Sequence, residues 1–205
     1  MIIRKIEPVN TKKKKLTMED GRVFALYNGE LFHYKLSEGM DLSDSVYTEI
    51  LDTVLTKRAR ERMMHLLKDR DYTESQLYRK LKQGFYPEEA IEEAMRFGKA
   101  HHYIDDVRYA RVYAEQKAGS MSRRQLAAKL SEKGIKKEII DSILPELENS
   151  EEYALEKLIR KKNIEFSAAS PQERQKICAY FMRKGFSYEN ILRKINEIEG
   201  TEHLT

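Results

Sequence analysis

The apolar positions change their period once along the chain. Before residue 41 they fall in short alternating runs: Met1 to Ile6, Lys14 to Glu19, Arg22-Val-Phe-Ala-Leu-Tyr27 and Glu30-Leu-Phe-His-Tyr-Lys-Leu36. These runs are rich in aromatic and β-branched residues and predict a small antiparallel hairpin or meander of three or four strands. Asp20-Gly21 and Asn28-Gly29 are read as two-residue turns, because both central positions favour positive φ. From Ser43 onward the period is helical. Val46, Ile50, Leu51, Val54 and Leu55 predict a connecting helix over residues 41–56, capped by Ser43 or Ser45.

The remainder repeats itself three times. Gly84-Phe85-x-x-Glu88, Gly134-Ile135-x-x-Glu138 and Gly185-Phe186-x-x-Glu189 recur about every 50 residues, a period that marks stacked repeat units. Each glycine closes a helix that opens on a capping box: Thr73-x-x-Gln76, Ser122-x-x-Gln125 and Ser170-Pro171-x-Glu173. A third helix follows each glycine, with Pro87 at its first position in the first repeat. Ala59, Met63, Leu66 and Leu67, then Ile91, Ala94 and Met95, form the buried stripes of that repeat. In the second, Ala110, Tyr113 and Ala114, then Ile139, Ile140, Ile143 and Leu144, take those places, and Pro145 marks fraying of the last helix. In the third they are Tyr153, Leu155 and Leu158, then Ile191, Leu192 and Ile195. Two irregularities stand out. The turn before Gly84 is one residue shorter than the turn before Gly134, and the Ser170 cap falls three residues early.

The predicted fold is therefore mostly α. Three tandem three-helix repeats, over 57–105, 106–149 and 150–205, form an elongated curved array preceded by an N-terminal β extension over 1–40. Units this small stack because none buries its apolar face alone, and such arrays offer long binding surfaces more often than catalytic pockets. The loop from Asn163 to Ala169 is the longest and the best hinge.

Composition narrows the chemistry. Of 205 residues 35% are charged and 40% apolar, and the mean hydropathy is −0.70, so the core is thin but too well patterned for disorder. Cys178 is the single cysteine, at an inward position, which excludes an intrachain disulfide and suits an inert thiol. The absence of a leader-like segment and of any long apolar run predicts a soluble, cytoplasmic protein without membrane contacts, and a monomer is expected.

Net charge is only +4, yet its distribution is uneven. Lys12 to Lys15 form a basic run in the loop entering the hairpin. Residues 121–137 carry six basic side chains (Arg123, Arg124, Lys129, Lys133, Lys136, Lys137) against Glu132 alone. Glu138 to Glu156 then holds seven acids and no base, before Arg160, Lys161 and Lys162 restore positive charge. Such cations can neutralise phosphates, although for any one cluster a solvated helical face with local ion pairs is the simpler account. Second and third helices joined through glycine resemble a helix-turn-helix. The third helices open on Glu88, Glu89, Glu92 and Glu93, or on Glu138 and Asp141, acids that suit a helix N-terminus but repel DNA. Base reading is therefore not expected; the positive charge lies on the second helices.

His101, His102, Asp105 and Asp106 invite a metal-site reading, and hence a metal-dependent nuclease, but their spacing is no ligand motif. Asp105 and Asp106 serve equally as the cap and first-turn acid of the next helix. No phosphate-binding glycine loop and no nucleophile with a base is present, so neither catalysis nor a cofactor is expected.

Tyr103-Ile104-Asp105-Asp106-Val107-Arg108-Tyr109-Ala110, Arg123-Arg124-Gln125-Leu126 and Lys129-Leu130-x-x-Lys133-Gly134-Ile135 together resemble the central signature of the bacterial regulatory protein RecX family. Leu66-Leu67-x-x-Arg70-Asp71-Tyr72-Thr73-x-x-x-Leu77-x-x-Lys80-Leu81 is similar to that family's first repeat, and the resemblance spans roughly residues 57–198. It implies a non-enzymatic modulator that lies along the RecA recombinase–DNA filament, usually inhibiting ATP hydrolysis, strand exchange and coprotease activity, with weaker affinity for single- and double-stranded DNA. Arg123, Arg124, Lys129 and Lys133 are the leading contact candidates, supported by Lys80, Arg160, Lys161 and Lys162. Tyr103, Asp105, Asp106, Tyr109 and Ala110 are assigned to packing and capping where two repeats meet. A sequence-independent DNA-binding protein without a recombinase partner is the alternative.

Overall fold

The computed structural model describes residues 1–147, 150–162, 164–166 and 168–202. Asn163 and Ser167, in the expected hinge loop, lie outside the described residues. The chain forms two compact units, Met1–Asp105 and Asp106–Thr205.

The first unit opens with a three-stranded antiparallel sheet in the order β1 (Ile3–Pro8), β2 (Lys13–Met18), β3 (Val23–Tyr27). Gly21 turns β2 into β3 with φ +87°, but the turn is not the expected two-residue one: Met18 donates its N–H to the Arg22 carbonyl at 2.8 Å across the three residues 19–21, and Asp20 stays out of the positive-φ region. Asn10 accepts the Lys12 and Lys13 amides on its side-chain oxygen, both at 2.9 Å, and so closes the turn before β2. Three of the four lysines at 12–15 thus lie in a strand rather than in the loop entering it.

The expected strand after Asn28-Gly29 is instead a short helix, α1 (Asn28–His33). Two interactions displace the hairpin, one with a distant segment and one local. The Asn28 amide is taken by the Lys12 carbonyl at 3.0 Å, and the Glu30 carboxylate reaches back to the Tyr27 amide at 2.8 Å, the box that opens a helix. The helix ends with Lys35 at φ 52° and Leu36 N–H on the Leu31 carbonyl at 2.9 Å, burying Leu31 and Leu36 while Phe32 stays 85% exposed.

Helix α2 (Asp44–Ile50), capped by Ser43, runs through one π-helical turn over Leu51–Leu55 into α3 (Thr56–Asp69). Helices α4 (Glu74–Gln83) and α5 (Glu88–Ala100) complete the first repeat, with Pro87 as the cap rather than the first residue of α5. Ile3, Leu16, Met18, Phe24 and Leu26 of the sheet share one continuous core with Ile50, Ala59, Met63, Leu77, Leu81 and Ile91. Sheet and first repeat are one folding unit.

In the second unit α6 (Asp106–Ala118), α7 (Arg123–Glu132) and α8 (Lys137–Ile143) precede a 3₁₀ turn, Leu144–Glu146, where Pro145 ends the helix. Helices α9 (Ser150–Lys161), α10 (Pro171–Arg183) and α11 (Tyr188–Glu202) follow. Ala110, Ala114, Leu130, Ile140 and Ile143 form one core, and Ala154, Leu155, Ile159, Cys178, Phe181, Ile191 and Ile195 another. Burial pushes the Cys178 thiol pKa up, which keeps it inert. Tyr153 is not in that core: it is 60% exposed, its ring facing Gly119 at the end of α6.

All three capping boxes close as Thr73–Gln76, Ser122–Gln125 and Ser170–Glu173, and α10 is 13 residues long against 10 for α4 and α7. The shortened turn of the first repeat, however, is not shortened. Tyr86, Ile135 and Phe186 donate their amides to the carbonyls of Leu81, Leu130 and Phe181, one shared geometry. The residue in the left-handed region is Phe85 (φ 61°) in the first turn, Gly134 (φ 85°) in the second and Gly185 (φ 90°) in the third. Gly84 sits one position before the left-handed site, at φ −79°. Phe85 is held there from the sheet, its carbonyl accepting the Ala25 amide at 3.1 Å and Lys15 lying 5.8 Å from its ring.

Left-handed backbone without a glycine costs roughly 1–2 kcal/mol. Gly21→Ala, with open space around it, is expected to lose about that amount. Gly185→Ala loses more, because the added carbon falls 2.6 Å from Ser122 Oγ and 2.9 Å from Arg124 Cβ; urea unfolding midpoints compare the two. Within the sheet, Lys15 and Lys5 hold the Glu7 carboxyl down at about 2. A depressed carboxylate favours the fold above its ordinary pKa and ceases to as pH falls towards 2. Carboxyl-detected NMR should give a Glu7 midpoint near 2, and Lys15→Met should raise it.

Candidate functional site

Each repeat sets a tyrosine under cations at its second helix. In the first, Tyr72 lies between Arg70 at 4.6 Å and Lys80 at 5.6 Å from its ring centre. In the second, Lys133 sits over Tyr113 at 4.9 Å and Tyr109 at 5.8 Å, the rings near-parallel with centres 6.3 Å apart. In the third, Tyr180 lies between Lys162 at 3.9 Å and Lys184 at 5.3 Å. These distances are within the range of cation–π attraction. Lys133 and Lys184 are the C-caps of α7 and α10, where the helix dipole also favours a cation. Ring and ammonium together offer phosphate donors beside a flat apolar surface, the combination that single-stranded nucleic acid uses.

The remaining candidates divide by what they already touch. Arg123 is half-buried: its backbone amide meets Glu151 at 3.3 Å, and its guanidinium donates to the Leu147 carbonyl at 3.3 Å. It ties α7 to the start of α9. Arg124, beside it, is exposed and, among the described residues, makes no ion pair, as do Lys136 and Lys161. Lys129 pairs with Glu132 at 2.8 Å, which raises its ammonium pKa, and Arg160 pairs with Glu156 at 3.0 Å.

The third-helix acids are engaged locally. Glu88 accepts from Lys82 at 2.8 Å and the Tyr78 hydroxyl at 2.7 Å, which lowers its carboxyl pKa. Glu93 pairs with Arg60 and Arg96, and Asp141 with Lys137. Of the junction residues, Ala110 is fully buried and Asp106 is the first residue of α6, preceded by Asp105. The Tyr103 ring lies parallel to His101, centres 5.9 Å apart. His101 Nδ1 is 2.9 Å from the Phe97 carbonyl; among the described residues no three His, Cys, Asp or Glu side chains converge as metal ligands.

Arg70, Lys184, Tyr72 and Tyr180 were not among the sequence-based candidates. The signal was present, since Lys133 and Lys184 each stand directly before a repeat glycine. Tyr180 lies one turn before Lys184 on α10, but the tyrosines beneath Lys133 enter from α6, which no local spacing connects to it.

Family comparisons fit this repeat geometry. Models of the first, second and third three-helix domains of RecX match residues 59–97, 105–144 and 151–195. A regulatory protein RecX from Caldanaerobacter subterraneus is 30% identical over 200 residues, covering 96% of this chain and 98% of the relative. The chain belongs to the RecX family. The RecX protein of Clostridioides difficile is 25% identical over 203 residues, covering 96% of this chain and 95% of its own. Two solved RecX structures share the fold. One has a TM-score of 0.62 at 24% identity, covering 92% of this chain and 96% of its own. The other, from Lactobacillus salivarius, has a TM-score of 0.64 at 23% identity, covering 70% and 96%. No helix among the described residues is long and apolar enough to cross a membrane.

Neighbouring arginines of this RecX chain should respond differently to truncation. Arg123→Ala is expected to cost about 1 kcal/mol through the lost hydrogen bond from its guanidinium to the Leu147 carbonyl, and Arg124→Ala less than about 0.5 kcal/mol. Guanidinium denaturation of both variants measures the difference.

Proposed function

We propose that this chain is a non-enzymatic regulator that binds the RecA recombinase–DNA filament and inhibits its ATPase, strand-exchange and coprotease activities. The observation that carries the reading is the tandem of three RecX domains, each presenting cations over a tyrosine at its second helix. The relatives it matches over nearly their whole length bear the name of regulatory proteins. A filament groove is lined by protein and by phosphate, and repeats that alternate acidic and basic segments suit both. In this mechanism the repeats bridge neighbouring protomers and touch DNA through α4, α7 and α10. Arg124, Lys129 and Lys133, with Lys80, Lys161 and Lys162, supply the phosphate contacts. Bridging blocks protomer addition or the cycling tied to ATP hydrolysis.

The test titrates the protein into preassembled RecA filaments on a fixed amount of single-stranded DNA and follows ATP hydrolysis. Inhibition at less than one molecule per recombinase protomer is expected. No change at saturating excess sinks the inhibitory mechanism and promotes the second reading, a sequence-independent DNA-binding protein. That second reading draws on the same exposed cations, and under it any inhibition disappears with excess DNA.

A further inference from the structure

The strands β2 and β3 meet helix α3 and the α4–α5 turn around Tyr86, and the charges gathered there do not balance. Lys13 Nζ lies 5.3 Å from the centre of the Tyr86 ring and donates to the Gly84 carbonyl at 2.9 Å. Tyr27, paired with Lys13 across the two strands, carries the Arg58 guanidinium 4.4 Å over its ring. Arg58 and Arg62 stand one turn apart on α3, and the charge of each reaches both Lys13 and Tyr86. Two acids face the group: Glu30, paired with Arg58, and Glu61, whose charge reaches Arg58 and Tyr86. Among the described residues no carboxylate pairs with Lys13 or Arg62, or with Lys12 and Lys14 on either side of Lys13. Arg58 also keeps a buried Nη1 with no partner.

Crowding like charges at a half-buried site disfavours their charged forms unless a counter-charge arrives. Burial, then Arg58 and Arg62, hold the Lys13 ammonium pKa below its usual value. An anion bridging the three cations would relieve all of these at once. Guanidinium groups suit phosphate because their planar donors bind it in pairs. Tyr27, 44% exposed, adds a ring beside the cations on which a base can stack. A polycarboxylate would satisfy the charges and leave that ring unused.

We propose that Lys13, Arg58 and Arg62, set around Tyr27 and Tyr86, form a phosphate-binding site for single-stranded nucleic acid. It gives the N-terminal sheet a ligand of its own. It stands whether or not the chain acts on a recombinase.

The test is fluorescence anisotropy of a labelled oligothymidylate with the full chain, across a salt series and without recombinase, so a negative ATPase result leaves it untouched. Arg62 is exposed and unpaired, so Arg62→Glu should melt as the wild type does. Its affinity should fall about tenfold, and the slope of log K against log salt should become shallower by about 0.7 per lost phosphate contact. Arg62→Gln, which keeps a polar side chain without the charge, should lose less affinity but the same single contact. Tyr27→Ala should weaken the oligonucleotide while leaving competition by inorganic pyrophosphate unchanged. No binding by the wild type, or unchanged affinity and slope in both Arg62 variants, overturns the site. Displacement by polyglutamate at equal charge concentration, or an inert Tyr27→Ala, overturns the nucleic-acid assignment in favour of an acidic peptide or free phosphate.

Discussion

A reversal between second and third helices, four residues long, constrains most of this fold. Continuing the helix would expose the last carbonyls, so one residue flips into the left-handed region and the chain closes back on itself. In the first and third turns a neighbouring segment takes the carbonyl of the preceding residue. For Lys184 the donor is the Ser122 hydroxyl at 2.6 Å, which also accepts the Gln125 amide and so caps α7. For Gly84 the donor is the Lys13 ammonium of the sheet. One atom of Ser122 therefore starts a helix in the second repeat and holds the turn of the third.

That arrangement explains why the N-terminal strands are integral. The turn of the first repeat docks on the sheet as the turn of the third docks on the second repeat. The sheet thus supplies the neighbour that a stacked unit requires. It goes further than a lid. The Ala25 amide at the free edge of β3 is satisfied by Phe85, which removes an exposed edge as a pairing hazard. The same hydrogen bond, with the Lys15 contact to the ring, holds a phenylalanine where the other repeats use glycine.

Helix ends and the cation–tyrosine clusters coincide for an electrostatic reason. A lysine at a helix C-cap is favoured by the dipole and by a ring beneath it, so Lys133 and Lys184 stabilise the fold. The same placement concentrates positive charge at the turns. Acids gather instead at the starts of the third helices, where Glu88 and Glu93 bind partners on other helices of their own repeat. Charge segregation therefore arises from helix polarity, and a polyanion would meet cations already oriented.

Period, capping chemistry and glycine spacing were enough to determine the helical repeats, their capping boxes and the inward Cys178, because each depends on residues within one turn of one another. The family followed from matched runs of residues. Tertiary structure decided the rest. It helped make Asn28–His33 helical, because the Lys12 carbonyl, next to β2, claims the Asn28 amide and reinforces the local Glu30 cap. It moved the left-handed site from Gly84 to Phe85, because a sheet edge, absent from any local pattern, outweighs the steric preference of one residue. It also separated Arg123 from Arg124, sending one into a junction and leaving the other in solvent. Local spacing tells which residues share a helix face; only the packing of distant segments determines what that face meets.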